Sequence, residues 1–377
     1  MVYISLLVRC IVLHVCLALY NVSALADCKI DVHAHFLTPT YRAALLENGH
    51  LHPDGMPAVP EWSPEAQLAF MEANGIEKTI LSRVTPSMGV SHDARENQRL
   101  ARESNDYAAN LKSSNPSKFG YFACLPLPDI QASLEEIEHV FSSPTRADGV
   151  ILLSNNGGHY LGDPYLRPIL DALNHRSAIV FVHPVSPYPQ SHNATCANPS
   201  ECYAASAPLA SVYPAPIFEY FFDSARSFID LILSGTARRF PEIRWIVTHC
   251  GGVLPALIDR LVLFVDYFGG PFQEFRNGGK MGREDIERVV RERFWFDLAG
   301  NPVPNLVDAL LRFSSKQRLL FGSDTPWTPY EAAARVVRHV EKGMREKFGE
   351  EDLQMIWREN ALELLGEERS SGLGTVL

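Results

Sequence analysis

Eight short apolar runs, separated by segments of helical pattern, restrict this chain to an alternating α/β architecture. The runs are Lys29–Phe36, Lys78–Val84, Phe119–Leu125, Gly149–Ser154, Ala178–Pro184, Arg244–Cys250, Phe294–Leu298 and Arg318–Ser323. Each is rich in Ile, Val, Leu and Phe and lacks strict alternation, as expected of strands covered on both faces of a parallel sheet. Helical patterns lie between them, for example at Ser133–Phe141, Pro164–Asn174, Phe222–Phe240, Val253–Phe264, Pro304–Phe313 and Pro329–Lys347. This layout predicts a closed (β/α)₈ barrel of the TIM type. The alternative is an open doubly wound sheet. That fold ordinarily carries a glycine-rich phosphate turn after its first strand, whereas here the first strand runs into His33–Ala34–His35. A barrel takes ~250 residues, often more with insertions, so one such domain accounts for most of a 377-residue chain that is 46% hydrophobic.

The expected barrel domain covers residues 27–366. Before it, Met1–Leu25 carries a single Arg9 and an apolar core, and it ends in the small-x-small sequence Ala24–Leu25–Ala26. This reads as a signal peptide over residues 1–26 that directs the chain into the secretory pathway. A retained membrane anchor is the other reading. The sequon Asn193–Ala194–Thr195 offers a glycosylation site at Asn193, and nearby Cys196 and Cys202 are spaced for a small disulfide. Residues 367–377 are polar and Gly/Ser-rich and are expected to be disordered. Two long loops are expected, Leu37–Glu65 after the first strand and Val185–Pro216 after the fifth, both at the barrel face where such enzymes keep their chemistry. A net charge of −10 argues against a nucleic acid as partner.

The chemistry gathers at the strand ends. His33 and His35 close the first run, His183 the fifth, His249 the sixth and Asp324 the eighth. A lone histidine in such a place is more often a satisfied polar residue, but these positions converge on one rim of a closed barrel. Imidazoles and a carboxylate suit one divalent metal, Zn²⁺ or Mn²⁺. Phe36, Phe218, Phe296 and Trp327 are candidates for lining a ring-shaped slot, or equally for the barrel core. Arg83, at the end of the second run, either faces the pocket and binds a polar substituent or pairs with an acid outside it.

The motifs DVHAHF (with Pro39), FVHP, FPEIRWIVTHCGG and LLFGSDTPW resemble those of the amidohydrolase superfamily, in the branch of aminocarboxymuconate-semialdehyde decarboxylase. The stretch DGMPAVPEWSPEAQLAFMEANGIEKTIL is similar to fungal 6-methylsalicylate decarboxylases. The resemblance implies metal ligands at His33, His35, His183 and Asp324, and a proton-transfer role for His249. It also implies a homodimer in which Arg260, eleven positions after His249, reaches the neighbouring site; the other reading of Arg260 is an ordinary surface arginine. The implied reaction is non-oxidative decarboxylation of a small ortho-hydroxy aromatic acid such as 6-methylsalicylate or orsellinate, in fungal polyketide secondary metabolism. Asp324 passes a proton to the ring carbon. Arg83 departs from the pattern and puts 6-methylsalicylate itself in question. No lysine stands at the end of the fourth strand, so a single metal is expected. The alternative activity is metal-dependent hydrolysis of an ester, lactone or amide. A third reading is a non-catalytic barrel used as a binding scaffold.

Overall fold

The computed structural model describes residues 28–84, 86, 89–187, 206–272 and 282–367. Eight parallel strands pair in chain order: β1 (Lys29–His35), β2 (Ile76–Ser82), β3 (Phe119–Cys124), β4 (Gly149–Leu153), β5 (Ile179–His183), β6 (Arg244–Val247), β7 (Phe294–Asp297) and β8 (Leu319–Leu320). Parallel bridges from Asp31 to Phe321 and from Ala34 to Thr325 join the two ends of the sheet into a barrel. The expected strands are all present, each within a few residues of its predicted bounds.

Strand parity sorts the core into two shells. Phe122, Ile151, Phe181, Ile246 and Trp295 pack with one another inside the barrel, together with Ala361 and Leu362 of the last helix. Their sequence neighbours Val150, Val182, Val247, Phe294 and Phe296 pack outward against helix residues such as Leu170, Phe228 and Leu254. This parity aims the site. Ile179 and Phe181 face inward, so His183 does too; Trp295 faces inward, so Asp297 follows it. In β1 the register shifts between Asp31 and Ala34. Ile30 and Val32 lie in the inner shell, whereas Ala34 and Phe36 lie in the outer one, which leaves His33 and His35 at the rim. A local irregularity of this kind commonly re-aims side chains beside an active site.

Several expectations need correction. Leu37–Glu65 is not a plain loop. Thr38 caps a helix over Pro39–Glu47, its hydroxyl accepting from the Tyr41 N–H, and Ser63 caps a second helix over Pro64–Ala73. In each the residue after the cap is proline, whose fixed φ suits the first helical turn. The single helix expected over Phe222–Phe240 is two, Ala215–Leu233 and Thr236–Arg239, divided at the left-handed Gly235. In Val185–Pro216 the described part holds a short 3₁₀ turn, Pro208–Ser211. The signal segment, Asn193, Cys196, Cys202 and residues 368–377 of the tail lie outside the described residues. Among the described helices none is long and apolar enough to cross a membrane.

Candidate active site

His33, His35, His183 and Asp324 meet at the barrel rim, with one ligand atom from each lying within 4.8 Å of all the others. Asp324 follows β8 in a left-handed conformation (φ 61°). Its own N–H donates to the His33 carbonyl at 2.7 Å, and its carbonyl accepts from Thr328 N–H at 2.9 Å. A non-glycine residue held at such a φ stores strain, which clusters at functional sites. The glycine just before, Gly322, permits close approach: a Cβ there would sit 2.7 Å from the His33 Cβ.

The second ring nitrogen decides whether each imidazole can bind a cation. His33 Nδ1 donates to Asp297 Oδ2 at 2.9 Å, His183 Nδ1 to the Pro184 carbonyl at 2.6 Å, and His35 Nδ1 to Ser82 Oγ at 2.9 Å. Ser82 in turn donates its hydroxyl proton to the Ala34 carbonyl. With every Nδ1 committed as a donor, every Nε2 lone pair is left for the centre. His33 Nε2 is buried and has no hydrogen-bond partner. Three oriented imidazoles, one carboxylate and an orphaned buried nitrogen fit a divalent metal.

Charge in the site is organised around that centre. Burial disfavours the charged form of His33, but the Asp297 and Asp324 carboxylates override it and push the imidazole up to about 10. A proton on His33 thus stands where a cation's charge would act. Burial also works against ionised Asp324, yet the His33 charge and the close imidazoles of His249 and His35 hold its carboxyl well below the usual range. Burial, with the neighbouring histidines, keeps His183 and His35 neutral, the form that binds metal. Asp31 is pushed up to about 7 by burial, against its hydrogen bonds to Ser323 and His33.

His249 is a different kind of histidine. It too has a left-handed backbone (φ 53°), and its Nδ1 is buried without a partner. Its Nε2 lies 3.5 Å from Asp324 Oδ2, while His33 and His35 approach the other oxygen, Oδ1, at 3.4 and 3.2 Å. Asp324 is therefore split, one oxygen toward the metal position and one toward His249. The His249 ring stacks on Phe221 at 5.5 Å. Gly252, after it, admits the Phe221 backbone; a Cβ there would meet the Phe221 carbonyl at 2.5 Å.

Sequence reasoning missed Asp297. Its Oδ2 orients His33 while its Oδ1 accepts the backbone N–H of His249 at 2.9 Å and of Ala299 at 3.1 Å. The signal was available, since Asp297 ends its strand just as His183 does.

A cavity of about 450 Å³ opens above the centre, with His183, His249 and Asp324 at its base and Tyr41, Tyr220, Phe221 and Trp327 among its walls. The turn Pro53–Gly55 gives Pro53 and Asp54 to its wall, and Asp54 accepts hydroxyl protons from Ser186 and, at 2.9 Å, from Tyr220. Of the predicted aromatic lining only Trp327 holds its place. Phe36 and Phe296 are buried in the outer shell, because their strand positions point away from the barrel axis. Phe218 is half-exposed and packs on Tyr213; one helical step of ~100° turns it off the face that Ile217, Tyr220 and Phe221 present to the cavity. Arg83 is buried beside the cavity rather than in it, its guanidinium 4.2 Å from the centre of the Tyr41 ring. Arg260 is exposed on the Leu254–Phe272 helix.

The comparisons agree with this geometry. A family model described as amidohydrolase matches residues 30–366. The chain is 33% identical over 317 residues to a 6-methylsalicylic acid decarboxylase of Penicillium expansum, covering 83% of this chain and 89% of that one. Among solved structures it superposes on an amidohydrolase (TM-score 0.75, 28% identity, 90% of this chain and 100% of the other). It also superposes on a 5-carboxyvanillate decarboxylase of Novosphingobium aromaticivorans complexed with manganese and 4-hydroxy-3-methoxy-5-nitrobenzoic acid (TM-score 0.73, 20% identity, 91% and 97%). Matched in sequence over nearly its whole described length, the chain belongs to the amidohydrolase family.

Proposed function

We propose that this protein is a metal-dependent, non-oxidative decarboxylase of a small aromatic acid bearing a hydroxyl ortho to its carboxylate, of the 6-methylsalicylate or orsellinate type. The observation that carries the reading is the split Asp324 carboxylate. A hydrolase needs its aspartate beside a nucleophilic water; a decarboxylase needs a carboxyl group that reaches the ring carbon and can be reprotonated from behind. With Oδ2 3.5 Å from His249 Nε2, Asp324 is placed to be reprotonated in that way. His249 supplies a proton to Oδ2, Asp324 delivers it to the carbon that bears the carboxylate, the C–C bond breaks to release CO₂, and its electron pair restores the aromatic ring. The walls of Tyr41, Phe221 and Trp327 hold the ring and exclude water. His33, His35, His183 and Asp324 would hold a divalent metal, which would supply Lewis-acid chemistry when bound.

The donor set favours zinc, and manganese is the ion bound by the 5-carboxyvanillate decarboxylase. Purified protein is expected to contain about one ion per chain. Chelation is expected to abolish turnover and lower the unfolding midpoint, and reloading to restore both. CO₂ release is to be measured over salicylate, 6-methylsalicylate, orsellinate and the dihydroxybenzoates. Turnover of a lactone or ester with none of these acids would move the assignment to hydrolysis.

We further propose a homodimer with shared sites. Arg260, Leu263 and Tyr267 lie on one exposed face of their helix, Tyr267 at 76% exposure, and Val212, Tyr213, Ile217 and Phe218 add exposed apolar surface near the cavity mouth. Exposed apolar surface of this kind is what an interface would cover. Arg260→Ala mixed with Asp324→Asn is expected to recover up to about a quarter of wild-type activity, because random pairing of equal amounts makes half the dimers mixed, each with one intact site. No recovery on mixing, with subunit exchange verified, would return Arg260 to the ordinary surface. Secretion and glycosylation at Asn193 rest on the sequence pattern and are tested by the N-terminus and mass of the exported protein.

A further inference from the structure

Beside the main cavity lies a second, much smaller one of about 20 Å³, at the ends of β2, β3 and β4, and its lining includes Arg83, Cys124, Leu127 and Asn156. That is room for roughly one oxygen-sized group. Pro86 belongs to the walls of both cavities. Tyr41, a wall of the main one, carries the Arg83 guanidinium on its ring face.

Arg83 is 3% exposed and makes no ion pair among the described residues. Among the described residues its one hydrogen bond runs from Nε to Cys124 Sγ at 3.0 Å. Burial pushes the Cys124 thiol up, so the acceptor is a neutral thiol, and the Glu136 carboxylate favours the guanidinium charge without bonding to it. Cys124 passes its own proton toward Asn105 Oδ1 at 3.3 Å. Beyond Asn105 stands Glu136, already engaged by Arg102 at 2.7 Å. Among the described residues the terminal nitrogens of Arg83 make no hydrogen bond, and they are not fully enclosed. On the same cavity Asn156 Nδ2 is buried and, among the described residues, unpartnered. Buried charge is ordinarily paired, and a lone buried donor is costly. Two such donors lining one void of single-atom size describe a binding site that lacks its acceptor.

We infer that Arg83 and Asn156 form an acceptor subsite for one anionic or strongly hydrogen-bonding oxygen-sized group. The group is either an oxygen substituent on the far edge of the ring acid or a free small anion such as chloride. In the first case the subsite deepens the decarboxylase reading, on which it then rests, by selecting ring acids with a further hydroxyl or carboxylate over salicylate. A pocket built to bond such a group discriminates strongly against the analogue that lacks it.

The test compares the metal-loaded wild type with Arg83→Met and Asn156→Ala. Salicylate is set against 2,4- and 2,5-dihydroxybenzoate and 2-hydroxyterephthalate, with both kcat/KM and calorimetric affinity measured. The ratio of the best doubly substituted acid to salicylate is expected to fall roughly ten- to hundredfold in Arg83→Met, and less in Asn156→Ala. Affinity reads the subsite even if no acid is turned over, which separates its failure from failure of the decarboxylase reading. The chloride arm follows the unfolding midpoint in sodium chloride against sodium gluconate at equal ionic strength; a chloride-specific rise in the wild type that Arg83→Met abolishes identifies a free anion. If Arg83→Met does not fold, Asn156→Ala carries both arms. Unchanged acid ratios together with identical salt responses in wild type and variants would overturn the subsite.

Discussion

Replacing Asp324 by asparagine is expected to lower kcat by about a thousandfold or more while the protein remains folded. The amide keeps the shape of the carboxylate and an oxygen for the cation, but it carries no transferable proton. A positioned acid of this kind contributes on the order of 10² to 10⁴ in rate. The left-handed backbone at residue 324 is one that asparagine also tolerates, so the loss is chemical rather than conformational. The check is single-turnover CO₂ release at saturating metal, with metal content and unfolding midpoint measured on the same sample. Activity within tenfold of wild type would assign the proton to another group, and the split between Oδ1 and Oδ2 would lose its meaning.

The second large effect is expected at Asp297, which touches no metal position. In Asp297→Asn one side-chain atom must remain an oxygen to accept from the backbone N–H groups of His249 and Ala299. The amide nitrogen then falls opposite His33 Nδ1, donor against donor. Imidazole escapes this clash by moving its proton to Nε2, the nitrogen the cation needs. Metal affinity is expected to weaken about 10- to 100-fold, as for other groups that orient a ligating histidine. Any buried donor left unmatched adds about 1–3 kcal/mol of destabilisation. Competition with a calibrated chelator measures the first and denaturant unfolding the second. An unchanged metal affinity would show that His33 is oriented by something other than Asp297.

Much of this site is legible in the sequence because a strand has only two faces. An apolar run that ends in a polar residue announces what stands at the barrel rim, and His33, His35, His183 and Asp324 were all visible in that way. His249 was visible too, although it sits two residues past β6 in a 3₁₀ turn rather than on the strand. Asp297 obeyed the same rule and was passed over because Leu298 and Ala299 continue the apolar run beyond it. The aromatic wall was not legible, since its members come from helices and loops. Along the Ala215–Leu233 helix, Phe218 and Phe221 look alike in sequence, and only the packing of the helix on the barrel distinguishes them. The helix over Pro39–Glu47 was hidden by prolines read as loop markers, although a threonine followed by proline is also how a helix begins.

The turn in the cavity wall has a consequence of its own. Asp54 is tied down by two hydroxyls, so freeing it exchanges a pair of polar contacts for contacts with water. Breaking those two contacts would undo none of the strand pairings of the barrel. That wall and the chemical machinery can thus move on separate clocks, one set by solvent competing for a carboxylate and the other by strand ends that do not yield.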